Sequence, residues 1–210
     1  MKLVLFSGFL GAGKTTSVLS ASLFLLRRMG ECGLCDKTTG RTPLVILENE
    51  VGDVAYDEAL LRNSGLEVKN LLSGCICCTL STDLIIELED IRHKYNPVYV
   101  IFEPSGAAFP DRIQDSVSQC GIEIEWFRIV TIVDVQRYSG LMTVVPNLIE
   151  KQIAAADTIL ISKTDLLPEP QQIKVMEQIR KVNGRASVYK SPYGAIDGNL
   201  LWAEVFKEDD

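Results

Sequence analysis

A chain of 210 residues, 47% hydrophobic and 23% charged, is long enough to bury one substantial core and fits a single domain. Its 21 Lys plus Arg against 28 Asp plus Glu leave a net charge of -7, with no basic run to track a phosphate backbone, which argues against nucleic acid as a partner. The apolar run behind Lys2 is too short for an export signal and no segment has the length of a membrane span, so a cytoplasmic location with reduced cysteines is expected and no membrane partner.

Taken in chain order, short β-branched runs alternate with helical patterns. "KLVLFSG" reads as a strand and "TTSVLSASLFLLRRM" as a helix; "PLVILENE" and "YDEALLRNSG" repeat the pair, as do "VYVIFEPSG" and "DRIQDSVSQ". "WFRIVTIVDV" and "ADTILISKTD" are nearly continuous apolar runs with polar ends, the pattern of strands buried on both faces. "VVPNLIEKQIAAA" reads as a helix between them. In "PEPQQIKVMEQIRKV", Ile173, Met176, Ile179 and Val182 fall three apart behind Pro170, predicting an amphipathic surface helix. "ASVYK" and "AIDGNLLWAEVF" supply a last strand and helix. The fold class predicted is α/β, a P-loop NTPase with a mostly parallel sheet flanked by helices on both faces. One domain over residues 1–210 is expected, with a cysteine-containing insertion at about residues 30–43.

"GFLGAGKT", Gly8 to Thr15, matches G-x-x-x-x-G-K-[ST] and stands between a strand and a helix, the context this motif requires. Gly8, Gly11, Ala12 and Gly13 let successive backbone N–H groups wrap an anion at a helix N-terminus; Lys14 would reach the phosphates, Thr15 would hold Mg²⁺, and Thr16 lies alongside. "VYVIFEPSG" ends in Glu103, a carboxylate suited to Mg²⁺, with Gly106 three residues on to offer an N–H to a terminal phosphate. The plain alternatives are a connecting turn and an ordinary strand end.

In "ISKTD", Asp165 would accept hydrogen bonds from the N1–H and exocyclic amine of guanine, which adenine lacks, while the Lys163 stem would cover the base. Ser162 begins the motif. GTP and GDP are therefore favoured over adenine nucleotides.

"LLSGCICCTL" places Cys75, Cys77 and Cys78 within four positions ahead of a helical run in which Leu84, Leu88 and Ile91 share a face and Thr79 or Ser81 would cap. At a helix N-terminus the dipole favours thiolates, which bind Zn²⁺ and other borderline or soft ions. Three sulfurs would leave one position open, as suits a carrier. The alternatives are buried packing and redox chemistry. Cys32 and Cys35 have C-x-x-C spacing in a glycine-rich stretch, an accessory metal site or an inert loop; isolated Cys120 reads as packing and His93 as a solvated helix residue.

The ordered motifs "SGFLGAGKTT", "ENEVGD", "GCICCTL", "IFEPSG" and "SKTDL" resemble those of the CobW-type metallochaperone GTPases, relatives of the nickel-insertion GTPases HypB and UreG. The resemblance covers nearly the whole chain and departs in Ser162 where N-K-x-D has asparagine; such proteins usually carry a C-terminal domain, and the expectation here is the GTPase domain without it. The resemblance implies GTP hydrolysis, slow without help, coupled to delivering a metal ion (zinc, or Co, Ni or Fe) or to maturing a metal-dependent or corrinoid (cobalamin) enzyme. The implied partners are a client metalloprotein or corrinoid protein and a nucleotide-dependent second copy. "ENEVGD" takes the place of a nucleotide-sensing switch, where Glu48, Glu50 and Asp53 would serve Mg²⁺, water or the metal. Lys14, Glu48 and Glu103 form the expected catalytic set. An ATP-dependent small-molecule kinase and a non-catalytic switch with structural zinc are the competing functions.

Overall fold

A computed structural model describes residues 1–31, 43–48, 66–70, 80–192 and 198–206. The expected helix "YDEALLRNSG", the start of "AIDGNLLWAEVF", Glu50, Asp53, Cys32, Cys35, Cys75, Cys77 and Cys78 lie outside the described residues.

Among the described residues, seven parallel strands form one sheet in the order β3-β2-β4-β1-β5-β6-β7. They are β1 (Lys2–Ser7), β2 (Leu44–Glu48), β3 (Leu66–Asn70), β4 (Tyr99–Glu103), β5 (Trp126–Asp134), β6 (Thr158–Ser162) and β7 (Ser187–Ser191). Every residue of β1, β4 and β6 is buried, because helices cover both faces of these inner strands. Every pairing among these described strands is parallel, matching the α/β reading.

Alternation along β1 sends Val4 and Phe6 to one face and Leu3 and Leu5 to the other. On the first face lies α1 (Lys14–Glu31), which packs Val18, Ala21, Leu25 and Met29 against Ile46, Ile101 and Ile132. The chain end, α7 (Gly198–Leu201) followed by a π turn Trp202–Phe206, adds Leu201, Val205 and Phe206 to this layer. On the opposite face α2 (Leu80–Tyr95) contributes Leu84, Leu88 and Ile91, all fully buried as their spacing predicted, and α3 (Pro110–Gln119) contributes Ile113 and Val117. A third cluster joins α4 (Tyr138–Val144), α5 (Pro146–Ala154) and α6 (Glu169–Val182) to β5 and β6 through Tyr138, Ile149, Ile153, Ile159, Ile161, Val175 and Ile179.

Four expectations are corrected. The single helix "VVPNLIEKQIAAA" is instead a break: α4 ends at Val144, and Pro146, which has no N–H to continue a helix, opens α5. The buried side of α6 runs through Gln172, Val175 and Ile179, while Ile173 is 47% exposed. Of the expected stripe, Ile179 is buried and Met176 and Val182 pack partly buried against the same cluster; Ile173 alone turns outward, and Gln172 takes the inward place at that end of the helix, where it bonds backbone carbonyls. Of the two candidate caps, Ser81 sits inside the first turn of α2, which begins at Leu80, and Thr79 lies outside the described residues. Strand β3 was not expected at all; its residues "LEVKN" alternate apolar and charged, as suits an edge.

The chain leaves central β1 toward β2 and β3 on one side, returns through β4, then crosses to β5, β6 and β7. Ligands of open α/β sheets bind at the carboxyl ends beside such a reversal.

Candidate nucleotide-binding site

The carboxyl end of β1 runs into the glycine-rich loop, and the loop into α1. Gly8, Gly11 and Gly13 have φ of 141°, 73° and 103°, a region that a side chain resists. At Gly8 a Cβ would also stand 2.4 Å from the Ile132 carbonyl oxygen, so the loop leaves β1 pressed against β5. Ala12 is buried and Lys14, at the first position of α1, is only 5% exposed. Lysine is almost never buried without an anionic partner, and here it stands at the positive end of an 18-residue helix. Thr16 faces solvent one residue beyond Thr15.

Across β1, the β4 terminus brings up Glu103. The Thr15 hydroxyl donates to Glu103 Oε1 at 2.7 Å, joining the two residues expected to hold Mg²⁺ although 88 positions separate them. These are hard oxygen ligands of the kind Mg²⁺ selects, and the pair fits that ion. Glu48 is in register with Glu103 on the neighbouring strand, so both carboxylates stand at the same end of the sheet. Gly106 lies against the loop so closely that a Cβ would come within 2.4 Å of the Leu10 nitrogen. Its carbonyl accepts a bond from Gln152 Nε2 at 3.1 Å, and the same amide reaches Ala108 O at 3.1 Å.

On the other side of β1 lie the ends of β5 and β6. Ser162 does not face outward as a base ligand would. Its hydroxyl donates to Ala12 O at 2.7 Å and more weakly to Val133 O at 3.3 Å, tying β6 to the phosphate loop. Lys163 adopts a left-handed conformation (φ 57°, ψ 33°) that turns the chain into the 3₁₀ turn Thr164–Leu166, on which Asp165 is exposed. The Lys163 ammonium donates to Asp134 Oδ2 at 2.7 Å; Asp134 is almost fully buried, so this contact supplies its counter-charge. Gln172 braces the turn from below by donating to Thr164 O at 2.7 Å and Leu167 O at 2.6 Å.

Asp134, Arg137, Gln152 and Gln172 belong to this site and were not singled out from the sequence. The one available signal was the position of Asp134 at the end of a buried strand, the same argument that found Glu103. Arg137, Gln152 and Gln172 carry no such mark, because they arrive from helices and turns that only the fold brings near.

Among the described residues no group of three or more His, Cys, Asp or Glu could hold a metal ion. Cys120 is a partly buried free thiol whose Sγ donates to Val117 O at 2.9 Å at the end of α3. His93 is exposed in the last turn of α2. No helix among the described residues is long and apolar enough to cross a membrane.

A parallel sheet with a phosphate loop at its switch point defines a P-loop nucleotide-binding domain. Residues 2–190 match the family described as CobW/HypB/UreG, nucleotide-binding domain, and the chain belongs to that family. Over 206 residues it is 31% identical to the zinc chaperone YjiA of Escherichia coli, a match covering 94% of this chain and 59% of that protein. Over 203 residues it is 29% identical to the zinc-regulated GTPase metalloprotein activator 1 of Schizosaccharomyces pombe, covering 91% of this chain and 46% of that one. The chain thus spans roughly half to three-fifths of the length of these relatives. The crystal structure of Zn(II)-bound YjiA GTPase from E. coli superposes with a TM-score of 0.64 at 26% identity, over 96% of this chain and 60% of that one. The hydrogenase maturation factor HypB from Archaeoglobus fulgidus shares the fold, with a TM-score of 0.58 at 16% identity over 98% of this chain and 88% of that one.

Proposed function

We propose that this chain is a single nucleotide-binding domain that binds GTP with Mg²⁺, hydrolyses it slowly and couples the change to handing a metal ion to a client protein. The observation that carries the nucleotide part is the contact of the Thr15 hydroxyl with Glu103 at 2.7 Å beside buried Lys14. In this reading Gly8, Gly11, Ala12, Gly13, Lys14, Thr15 and Thr16 cradle the phosphates, Gly106 meets the terminal one, and Asp165 reads guanine. Ser162 acts on the loop, and Lys163, steadied by Asp134, covers the base. Mg²⁺, when bound, would neutralise charge developing on the phosphate oxygens. The residues then do the rest: Lys14 holds the phosphates in place, and Glu48 or Glu103 orients an attacking water.

Zinc is the favoured cargo because YjiA is described as a zinc chaperone and the S. pombe relative as a zinc-regulated GTPase metalloprotein activator. Cys75, Cys77 and Cys78 would hold it as thiolates, with Cys32 and Cys35 as an accessory pair. The client would be a metalloprotein or corrinoid protein.

Two measurements test this. Asp165→Ala should weaken GTP by tenfold or more and leave ATP binding unaltered; equal losses for both would end the guanine reading. Zinc affinity should differ between the protein saturated with GDP and with a non-hydrolysable GTP analogue, and should fall in Cys77→Ser. Identical affinities in both nucleotide states would refute the coupling.

A further inference from the structure

Arg137 follows β5 and has no part in the motifs. Its backbone N–H donates to Asp134 Oδ1 at 3.2 Å, beside that of Gln136 at 3.0 Å, so the carboxylate that holds Lys163 also fixes the turn from which Arg137 projects. From there the guanidinium lies 5.6 Å from the centre of the Phe9 ring and Nη1 donates to the Leu10 carbonyl at 2.9 Å. The space is close: a Cβ on Gly11 would stand 3.2 Å from that same Nη1. An exposed arginine that stacks on one loop residue, bonds the next and crowds the third is aimed at the loop.

The consequence follows from the planarity of the peptide. All described peptide bonds are trans, so the C=O of Leu10 and the N–H of Gly11 point in opposite directions. Holding the Leu10 oxygen at Arg137 turns the Gly11 N–H to the side away from the guanidinium. Ser162 does the same to the peptide between Ala12 and Gly13 by holding the Ala12 oxygen at 2.7 Å. Two alternate carbonyls of the loop are therefore anchored from the β5 and β6 side.

We propose that Arg137 is a positioning residue for nucleotide phosphate, fixing the Leu10–Gly11 peptide so that the Gly11 N–H is already turned to the phosphate side before ligand arrives. It rests on the reading of Gly8 to Thr15 as the phosphate site, and pre-set donors need no reorganisation on binding. The test is GTP affinity of Arg137→Ala, Arg137→Lys and Lys14→Ala, with the Gly11 amide resonance followed in the nucleotide-free protein. Arg137→Ala should bind GTP about tenfold more weakly, as loss of a charge-assisted bond implies. Its Gly11 resonance should move, and Arg137→Lys, which can still donate to one carbonyl, should recover most of the affinity. A loss under threefold in Arg137→Ala while Lys14→Ala binds poorly would overturn the role of Arg137 and leave the phosphate site standing. So would a weakened Arg137→Ala that lysine fails to rescue or whose Gly11 resonance stays in place. Unchanged affinity in Lys14→Ala would remove the phosphate site itself, and this role with it.

Discussion

A methyl group on Gly106 would stand 2.4 Å from the Leu10 nitrogen and 2.8 Å from its Cα, both main-chain atoms that cannot swing aside. Gly106→Ala should therefore push the phosphate loop out of place, and GTP binding should fall by tenfold or more with the far-ultraviolet circular dichroism unchanged; wild-type affinity would show that the two segments part easily. Ser162→Ala removes the donor from Ala12 O at a buried position and should destabilise the fold by about 1–3 kcal/mol, measured by urea unfolding. The phosphate loop was legible from the sequence because its eight residues are contiguous and their φ demands are written as glycine. Arg137 and Gln152 were not, since what they touch lies far away along the chain: Leu10 is 127 positions from Arg137, and Gly106 is 46 from Gln152.

Elements were legible where their pattern follows from burial alone. Inner strands are apolar throughout because both faces are covered, and α2 carries its buried leucines at helical spacing. The failures are places where a polar side chain acts as structure. At the start of α6, Gln172 takes the buried place expected of Ile173, and its amide closes the turn ahead of that helix. Asn183 does similar work after α6: its Nδ2 donates to Ile153 O at 2.8 Å and Ala156 O at 2.9 Å, closing the end of α5. Its Oδ1 accepts from Arg185 N at 3.1 Å and Ala186 N at 3.0 Å, starting the chain toward β7. With a longer bond from Nδ2 to Ala154 O at 3.3 Å, one buried amide thus meets five main-chain groups in two connections. Asn183→Leu, close in volume but unable to bond, should lower unfolding stability by about 2–4 kcal/mol, since buried polar groups stripped of partners carry that penalty. A change below 1 kcal/mol would mean that water replaces the amide.

At the scale of the whole molecule, the sheet order was beyond the sequence, because strand neighbours depend on which crossover each helix makes and not on any local pattern. The same assembly sets an alkaline limit on stability. Tyr138, 2% exposed in the cluster between β5 and α5, has its phenol pushed above the ordinary 10.0, first by burial and then by the negative charge of Glu150. Tyr189 on β7 is raised as well, chiefly by burial and by its hydrogen bond to Glu204, with Ser187 opposing. Both phenols hold their protons more tightly folded than unfolded. The native chain therefore binds more protons than the unfolded chain once pH passes 10, and the unfolding free energy must fall as pH rises from there; below that value neither group contributes a slope. Urea unfolding of the native protein should be flat in these terms near pH 8 and decline as pH rises past about 10. Tyr138→Phe, which keeps the ring and cannot ionise, should flatten the decline, and Tyr138→Phe with Tyr189→Phe should flatten it further. The slope is the quantity to compare, because either substitution can shift the baseline through packing alone, and an undiminished slope in the double variant would place the alkaline transition on other groups.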